Sequence, residues 1–157
     1  MGYEALKNNL AANNSALGYQ ALYSNTTGTY NSAFGYQALY GNTTGQYNTA
    51  VGYTALNGAN YNSSGNTAIG HESLKNNSSY GSYNTAVGYQ SLYNNNYSGL
   101  FNVAVGYQSL RGNTSGDFNL GMGYRPLYSN TTGSNNTAVG SYALNSNTTA
   151  SYHTAIG

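Results

Sequence analysis

The sequence predicts an all-β fold: one parallel β-solenoid over residues 1–157, built from about nine coils of 17–18 residues. Three observations predict it. A glycine recurs at Gly2, Gly18, Gly35, Gly52, Gly70, Gly88, Gly106, Gly123, Gly140 and Gly157, in steps of 16 to 18 residues. One pattern, N-T-A-V-G-Y-Q-A-L, surrounds these glycines, as in Asn31–Leu39, Asn48–Leu56, Asn84–Leu92 and Asn136–Leu144. From the Asn to the Leu the distance is eight residues in every block, so all length variation falls between a Leu and the next Asn. A segment that cannot change length is hydrogen-bonded in register, and one that can is a surface loop.

The unit is too short for helical repeats, which need about 33 residues to pack two helices. Its fixed glycine and β-branched residues also disfavour helix. Each coil is therefore expected to hold two short strands, a corner and a loop. The apolar site before the glycine (Leu17, Phe34, Val51, Ile69, Val87, Val105, Met122, Val139, Ile156) lies five residues from the Leu that closes the block. Strict alternation puts these two sites on opposite faces. If both face the core, the chain bends between them at the glycine. The loops carry Asn-Thr-Thr-Gly, at residues 25–28, 42–45 and 130–133, which is turn chemistry.

Substitutions among copies within the chain predict exposure. The site after Leu exchanges Tyr23, Tyr40, Tyr93 and Tyr128 with Lys7, Lys75 and Arg111, which predicts a solvent-facing row. The site before the block's Asn exchanges Tyr30, Tyr47, Tyr83 and Tyr152 with Phe101 and Phe118, which predicts at least partial cover. The site after the glycine is mostly Tyr, with His71 and Ser141 as exceptions, and is expected to stack as a ladder. The block's Asn residues are expected to form an amide ladder. Stacking at the inter-strand spacing gives a rod of about 43 Å. A Leu and one further large apolar group per coil make a thin core against the cost of ordering, so self-association is expected.

Composition excludes several classes. Seven residues are charged and the net charge is +1, so neither nucleic acid nor an anionic membrane has a basic footprint to bind. No apolar run has the length of a membrane span, and no signal-peptide pattern opens the chain. Cysteine is absent, which removes disulfides and thiolate metal sites. Catalysis, cofactor and metal binding are not expected. The three acids lie in different units, and the one adjacent acid–base pair, His71–Glu72, reads as a Tyr-to-His exchange in a ladder. His153 replaces a ladder Asn.

Sequons recur about once per unit, at Asn25, Asn42, Asn62, Asn77, Asn96, Asn113, Asn130 and Asn147. They read either as glycosylation sites or as good loop chemistry, with the second favoured. Tyr23, Tyr40, Tyr93 and Tyr128 are candidate contacts for a host-surface glycan.

The N-T-A-V-G-Y and N-T-A-I-G blocks resemble the N-S-V-A-I-G repeats of trimeric autotransporter adhesin heads. The longer unit with its N-T-T-G loop is similar to repeats of phage tail fibres. The resemblance implies a left-handed β-roll, a homotrimer, and an extracellular or virion-surface fibre that adheres to something. Thr49, Thr67, Thr85, Thr137 and Thr154 depart from it by standing where that repeat has an apolar residue. The chain opens and closes in mid-unit with no capping unit evident, which reads as a piece of a longer fibre or a unit stacking head to tail. The rival reading is an ice-binding solenoid with a Thr column, or a monomeric glycan-binding repeat.

Overall fold

The computed structural model describes residues 2–58, 62–78 and 80–157. Nine three-residue strands follow one another: β1 (Ser15–Leu17), β2 (Ser32–Phe34), β3 (Thr49–Val51), β4 (Thr67–Ile69), β5 (Thr85–Val87), β6 (Val103–Val105), β7 (Leu120–Met122), β8 (Thr137–Val139) and β9 (Thr154–Ile156). They form one parallel sheet whose order is the chain order. Equivalent residues pair directly, as in Ala50 with Ala68 and Val51 with Ile69. The chain is a β-solenoid: each block lies over the one before it.

The second strand expected in each coil is absent among the described residues. Its place is taken by a turn in which two non-glycine residues hold positive φ, for example Gln37 at 49° and Leu39 at 54°. Left-handed backbone curls the chain where extended φ would carry it straight on. The inter-coil ladder nevertheless continues through this arm. The Gln37 N–H donates down to Tyr19 O at 2.8 Å, and the Leu39 N–H donates up to Ala55 O at 2.9 Å. Left-handed non-glycine residues each cost on the order of 1–3 kcal/mol. The fixed block length thus reports registered hydrogen bonding, but not a strand.

The glycine after each strand is required twice over. Gly88 has φ 131°, and a Cβ there would stand 2.3 Å from Gly106 O of the next coil. Backbones meet at that corner with no room for a side chain.

The core differs from expectation. The residue before the glycine points outward: Leu17, Phe34, Val51, Ile69, Met122 and Ile156 are 37 to 79% exposed. Alternation holds along the strand, so the buried residue is the middle one, Ala33, Ala50, Ala68, Ala86, Ala104 or Ala138. It packs with the Leu column (Leu22, Leu39, Leu56, Leu74, Leu92, Leu110, Leu127) and a second small-residue column that includes Ala21, Ala38, Ala55 and Ser73. Ala and Leu face inward together because the chain turns between them, at the glycine and at left-handed residues such as Gln37 and Leu39.

Two asparagine columns complete the interior. In the block column the backbone N–H of each Asn donates to Oδ1 of the Asn one coil before, as Asn48 does to Asn31 at 3.0 Å and Asn102 to Asn84 at 2.9 Å. The expected amide ladder is therefore built from backbone N–H groups and side-chain oxygens. The second column is the loop Asn itself. Asn42 Nδ2 donates to Asn25 Oδ1 at 2.8 Å, and the pattern continues through Asn95, Asn113, Asn130 and Asn147. Both columns converge on the loop glycine: Gly45 O accepts from Asn31 Nδ2 at 2.8 Å and from Asn42 Nδ2 at 3.1 Å. Two carboxamides crowd that glycine, so a Cβ on Gly45 would meet Asn42 Oδ1 at 2.4 Å. This is why the loops set a glycine three or four residues after the Asn, as at Gly45 and Gly81.

One coil breaks the second column and partly repairs it. Ser63 stands where Gly45 and Gly81 stand in neighbouring coils, and its Oγ accepts from Asn77 Nδ2 at 3.2 Å. Asn42 Oδ1, one coil below, is left buried with no hydrogen-bond partner among the described residues.

Candidate interaction surface

Outside this core the rod presents parallel rows, one residue per coil. On the outer sheet face a Ser/Thr row (Ser32, Thr49, Thr67, Thr85, Thr137) runs beside the apolar row that precedes the glycine. Next to it stands the tyrosine row after the glycine. Tyr3, Tyr19, Tyr36, Tyr53, His71, Tyr89, Tyr107 and Tyr124 stack with ring centroids 4.9 to 5.4 Å apart and planes within 17°. The coil spacing sets that separation. In the last step Tyr142, one position on from Ser141, meets Tyr124 edge-on at 73°. The expected ladder is present. Its rings turn their faces to one another, so what they offer outward is edges and hydroxyls, with Tyr19, Tyr36, Tyr53, Tyr89, Tyr107 and Tyr124 between 39 and 48% exposed.

The other two aromatic rows exchange their expected environments. The row before the block's Asn is open to solvent: Tyr30, Tyr47, Tyr83, Phe101, Phe118 and Tyr152 are all exposed. Their Tyr-for-Phe exchange reports a ring that stacks, as Phe101 does on Phe118 at 5.0 Å, rather than a ring that is covered. The row after Leu, expected to face solvent, is half-buried at Tyr23, Tyr40, Tyr93 and Tyr128. The Lys and Arg that alternate with these tyrosines lie on ring faces. Lys7 Nζ is 5.5 Å from the Tyr23 centroid, and Arg111 Cζ is 5.0 Å from that of Tyr93. A cation on an aromatic face is favourable and shields the ring, so alternation with Lys did not mean free exposure. Tyr23 and Tyr40 stack at 5.2 Å, which occupies the faces they turn toward each other.

Sequence reasoning missed the row between these two, a ladder of carboxamides ended by charges. Gln37 Nε2 donates to Gln20 Oε1, and Gln20 Nε2 to Glu4 Oε2. A second ladder runs from Glu72 through Gln90 and Gln108 to Arg125, with steps of 2.8 to 2.9 Å. The signal was present: Glu and Arg fall at the position occupied by Gln in other coils. Every carboxamide in such a row donates the same way, so a carboxylate fits its accepting end and a guanidinium its donating end. Thr54, too short to join, separates the two ladders and leaves its Oγ1 buried with no hydrogen-bond partner among the described residues.

These contacts set the titration behaviour. Hydrogen bonds from Lys75 and, after a smaller opposing effect of burial, from Gln90 hold Glu72 below its usual value, and the same bond raises Lys75. Glu4 is likewise lowered, by Lys7 and Gln20. His71 Nδ1 stands 3.9 Å from Glu72 Oε2, while its ring is stacked between Tyr53 and Tyr89. That position fits the reading of a ladder substitution. His153 also keeps the ladder bond of the Asn it replaces, its N–H donating to Asn136 Oδ1 at 3.0 Å. Among the described residues no group of three or more His, Asp or Glu side chains lies together to hold a metal ion.

The sequon asparagines divide by register. Asn25, Asn42, Asn77, Asn113 and Asn130 are at most 2% exposed, and each Nδ2 already donates two hydrogen bonds. A sugar on that nitrogen would replace a ladder bond and has no space in the column, so their recurrence serves packing. Asn147, at the last rung, is half-buried and makes the same two bonds. Asn96 and Asn62 are exposed, because Asn95 fills the column in the first case and Ser63 in the second.

Comparison with protein-family models, with curated proteins and with solved structures finds no match to this chain.

Proposed function

We propose that the chain is a structural segment of a surface fibre or adhesin, outside the cell or on a virion, which self-associates through its outer sheet face. The observation that carries this reading is the stripe of exposed apolar and aromatic side chains along that face. The apolar row, exposed at Leu17, Phe34, Val51, Ile69, Met122 and Ile156 and half-buried at Val87, Val105 and Val139, and the tyrosine row each supply one residue per coil along the sheet. Apolar and aromatic side chains exposed in rows of that kind are more apolar surface than a soluble monomer usually leaves bare. The thin Leu and Ala core points the same way, since burying the stripe between chains adds stability that single coils lack. The repeat resemblance adds a homotrimer as the expected assembly, with a head-to-tail filament as the alternative.

The ice-binding reading is weaker. The outward neighbour of each Thr is apolar, and Val103 and Leu120 interrupt the Thr row.

Sedimentation equilibrium of the whole chain tests the proposal. The expected result is a trimer or larger, with Val51→Lys plus Ile69→Lys shifting it to monomer while the fold is kept, because both side chains already face out. A compact monomer at all concentrations, with bare particles of one solenoid's width in electron micrographs, would remove the proposal.

A further inference from the structure

The four cationic side chains are not disposed alike. Lys7 and Lys75 each pair with the carboxylate three residues before them, Glu4 and Glu72. The third acid, Asp117, accepts the Leu100 N–H at 2.7 Å. Arg111 and Arg125 pair with no carboxylate among the described residues. Each instead commits Nε to a ladder carboxamide: Arg111 to Gln90 Oε1 at 3.1 Å, and Arg125 to Gln108 Oε1 at 2.8 Å. Gln108 Nε2 also donates to Gln90 Oε1 at 2.9 Å, so the two guanidinium groups hang from consecutive rungs.

Both lean on one ring. Arg111 Cζ is 5.9 Å and Arg125 Cζ 5.1 Å from the Tyr128 centroid. Arg111 also lies 5.0 Å from Tyr93, and Arg125 5.5 Å from Tyr124. A guanidinium whose Nε is fixed and whose face rests on an aromatic ring has lost most of its freedom before any ligand arrives. Its outer nitrogens still carry unspent donors in a planar fork. Two such forks one coil apart, about 5 Å in rise, with no competing carboxylate, match the oxygens of an oxyanion.

We infer that Arg111 and Arg125 form a binding site for a single oxyanion group, a carboxylate, sulfate or phosphate monoester, carried by a molecule lying against the Tyr93–Tyr128 row. A polyanion fits poorly, because the remaining cations are neutralised by Glu4 and Glu72 and no positive track runs along the rod.

The test is calorimetric and NMR titration of the full chain with sodium sulfate, sodium phosphate and sodium acetate at constant ionic strength, against sodium chloride. Arg125→Gln continues the glutamine row, and Arg111→Tyr continues the tyrosine row, so both variants repeat a neighbouring coil and are expected to fold. One saturable site per chain is expected. Either substitution should weaken it about tenfold or more, the loss of a charge-assisted pair. Lys7→Tyr, remote from the site, should leave it unchanged. Binding of sulfate and phosphate without acetate assigns a tetrahedral ester group, and binding of acetate alone assigns a carboxylate. Absence of saturable binding for all three salts overturns the inference, as does equal binding by the doubly substituted chain.

Discussion

Substitution Asn84→Ala tests the asparagine column at mid-rod, and the structure sets its cost. Asn84 Oδ1 accepts the Asn102 backbone N–H at 2.9 Å and Asn102 Nδ2 at 3.2 Å, while Asn84 Nδ2 donates to Gly99 O at 2.9 Å. Two of the three groups left behind keep another partner: Asn102 Nδ2 still reaches Gly116 O, and Gly99 O still accepts from Asn95. The Asn102 N–H has no other partner among the described residues and is buried. Its desolvation costs about 1–3 kcal/mol, and the weaker losses bring the total to about 2–4 kcal/mol. Each coil contacts only its neighbours, so a mid-rod break also divides the rod into two shorter stacks. Urea unfolding followed by circular dichroism should show an earlier midpoint and a shallower or split transition for Asn84→Ala. Asn136→Ala, near the last strand, should fray one coil and leave the main transition in place. Asn96→Ala, at an exposed sequon, should lie within about 0.5 kcal/mol of the parent chain. If Asn84→Ala behaves like Asn96→Ala, the column does not hold the coils together and the account of the interior is wrong.

Three further outcomes follow from the same geometry. Gly88→Ala forces an alanine to φ 131° with its Cβ 2.3 Å from Gly106 O, and should abolish the folded signal at 25 °C rather than lower its midpoint. Leu92→Ala opens a cavity in the Leu column, which holds the large apolar core side chains of the described residues, and should cost about 2–5 kcal/mol by chemical denaturation. Glu72 gives a pH dependence of known sign. Its folded pKa lies below the unfolded value of about 4.3, so its contribution is full above that value and is lost as the pH falls through the folded one. Thermal melts should therefore show a smaller loss between about pH 5 and pH 3 for Glu72→Gln than for the parent chain, and equal losses would refute the role assigned to the Lys75 and Gln90 contacts.

Much of the surface could not be read from single positions. Tyr23 and Tyr40 were expected to face solvent because Lys and Arg alternate with them, yet aliphatic stems and ring faces cover one another in that row. Val51 was expected inside because it is apolar, yet strand alternation turns it outward and buries Ala50 instead. Arg111 and Arg125 stand in different coils and in different rows of the repeat. Only their shared ladder and their common contact with Tyr128 bring them together.

The repeat period, the invariant block length and the glycine at each corner were enough to determine a stack of parallel coils. Only one kind of fold lets every copy pair with its successor at a constant separation and confines insertions to the loops. The tertiary structure decided which side of each coil is the inside. That choice depends on left-handed backbone at residues such as Gln37 and Leu39, a conformation their side chains do not announce. It also depends on which carboxamide reaches which carbonyl in the next coil, a relation between copies that no single copy contains.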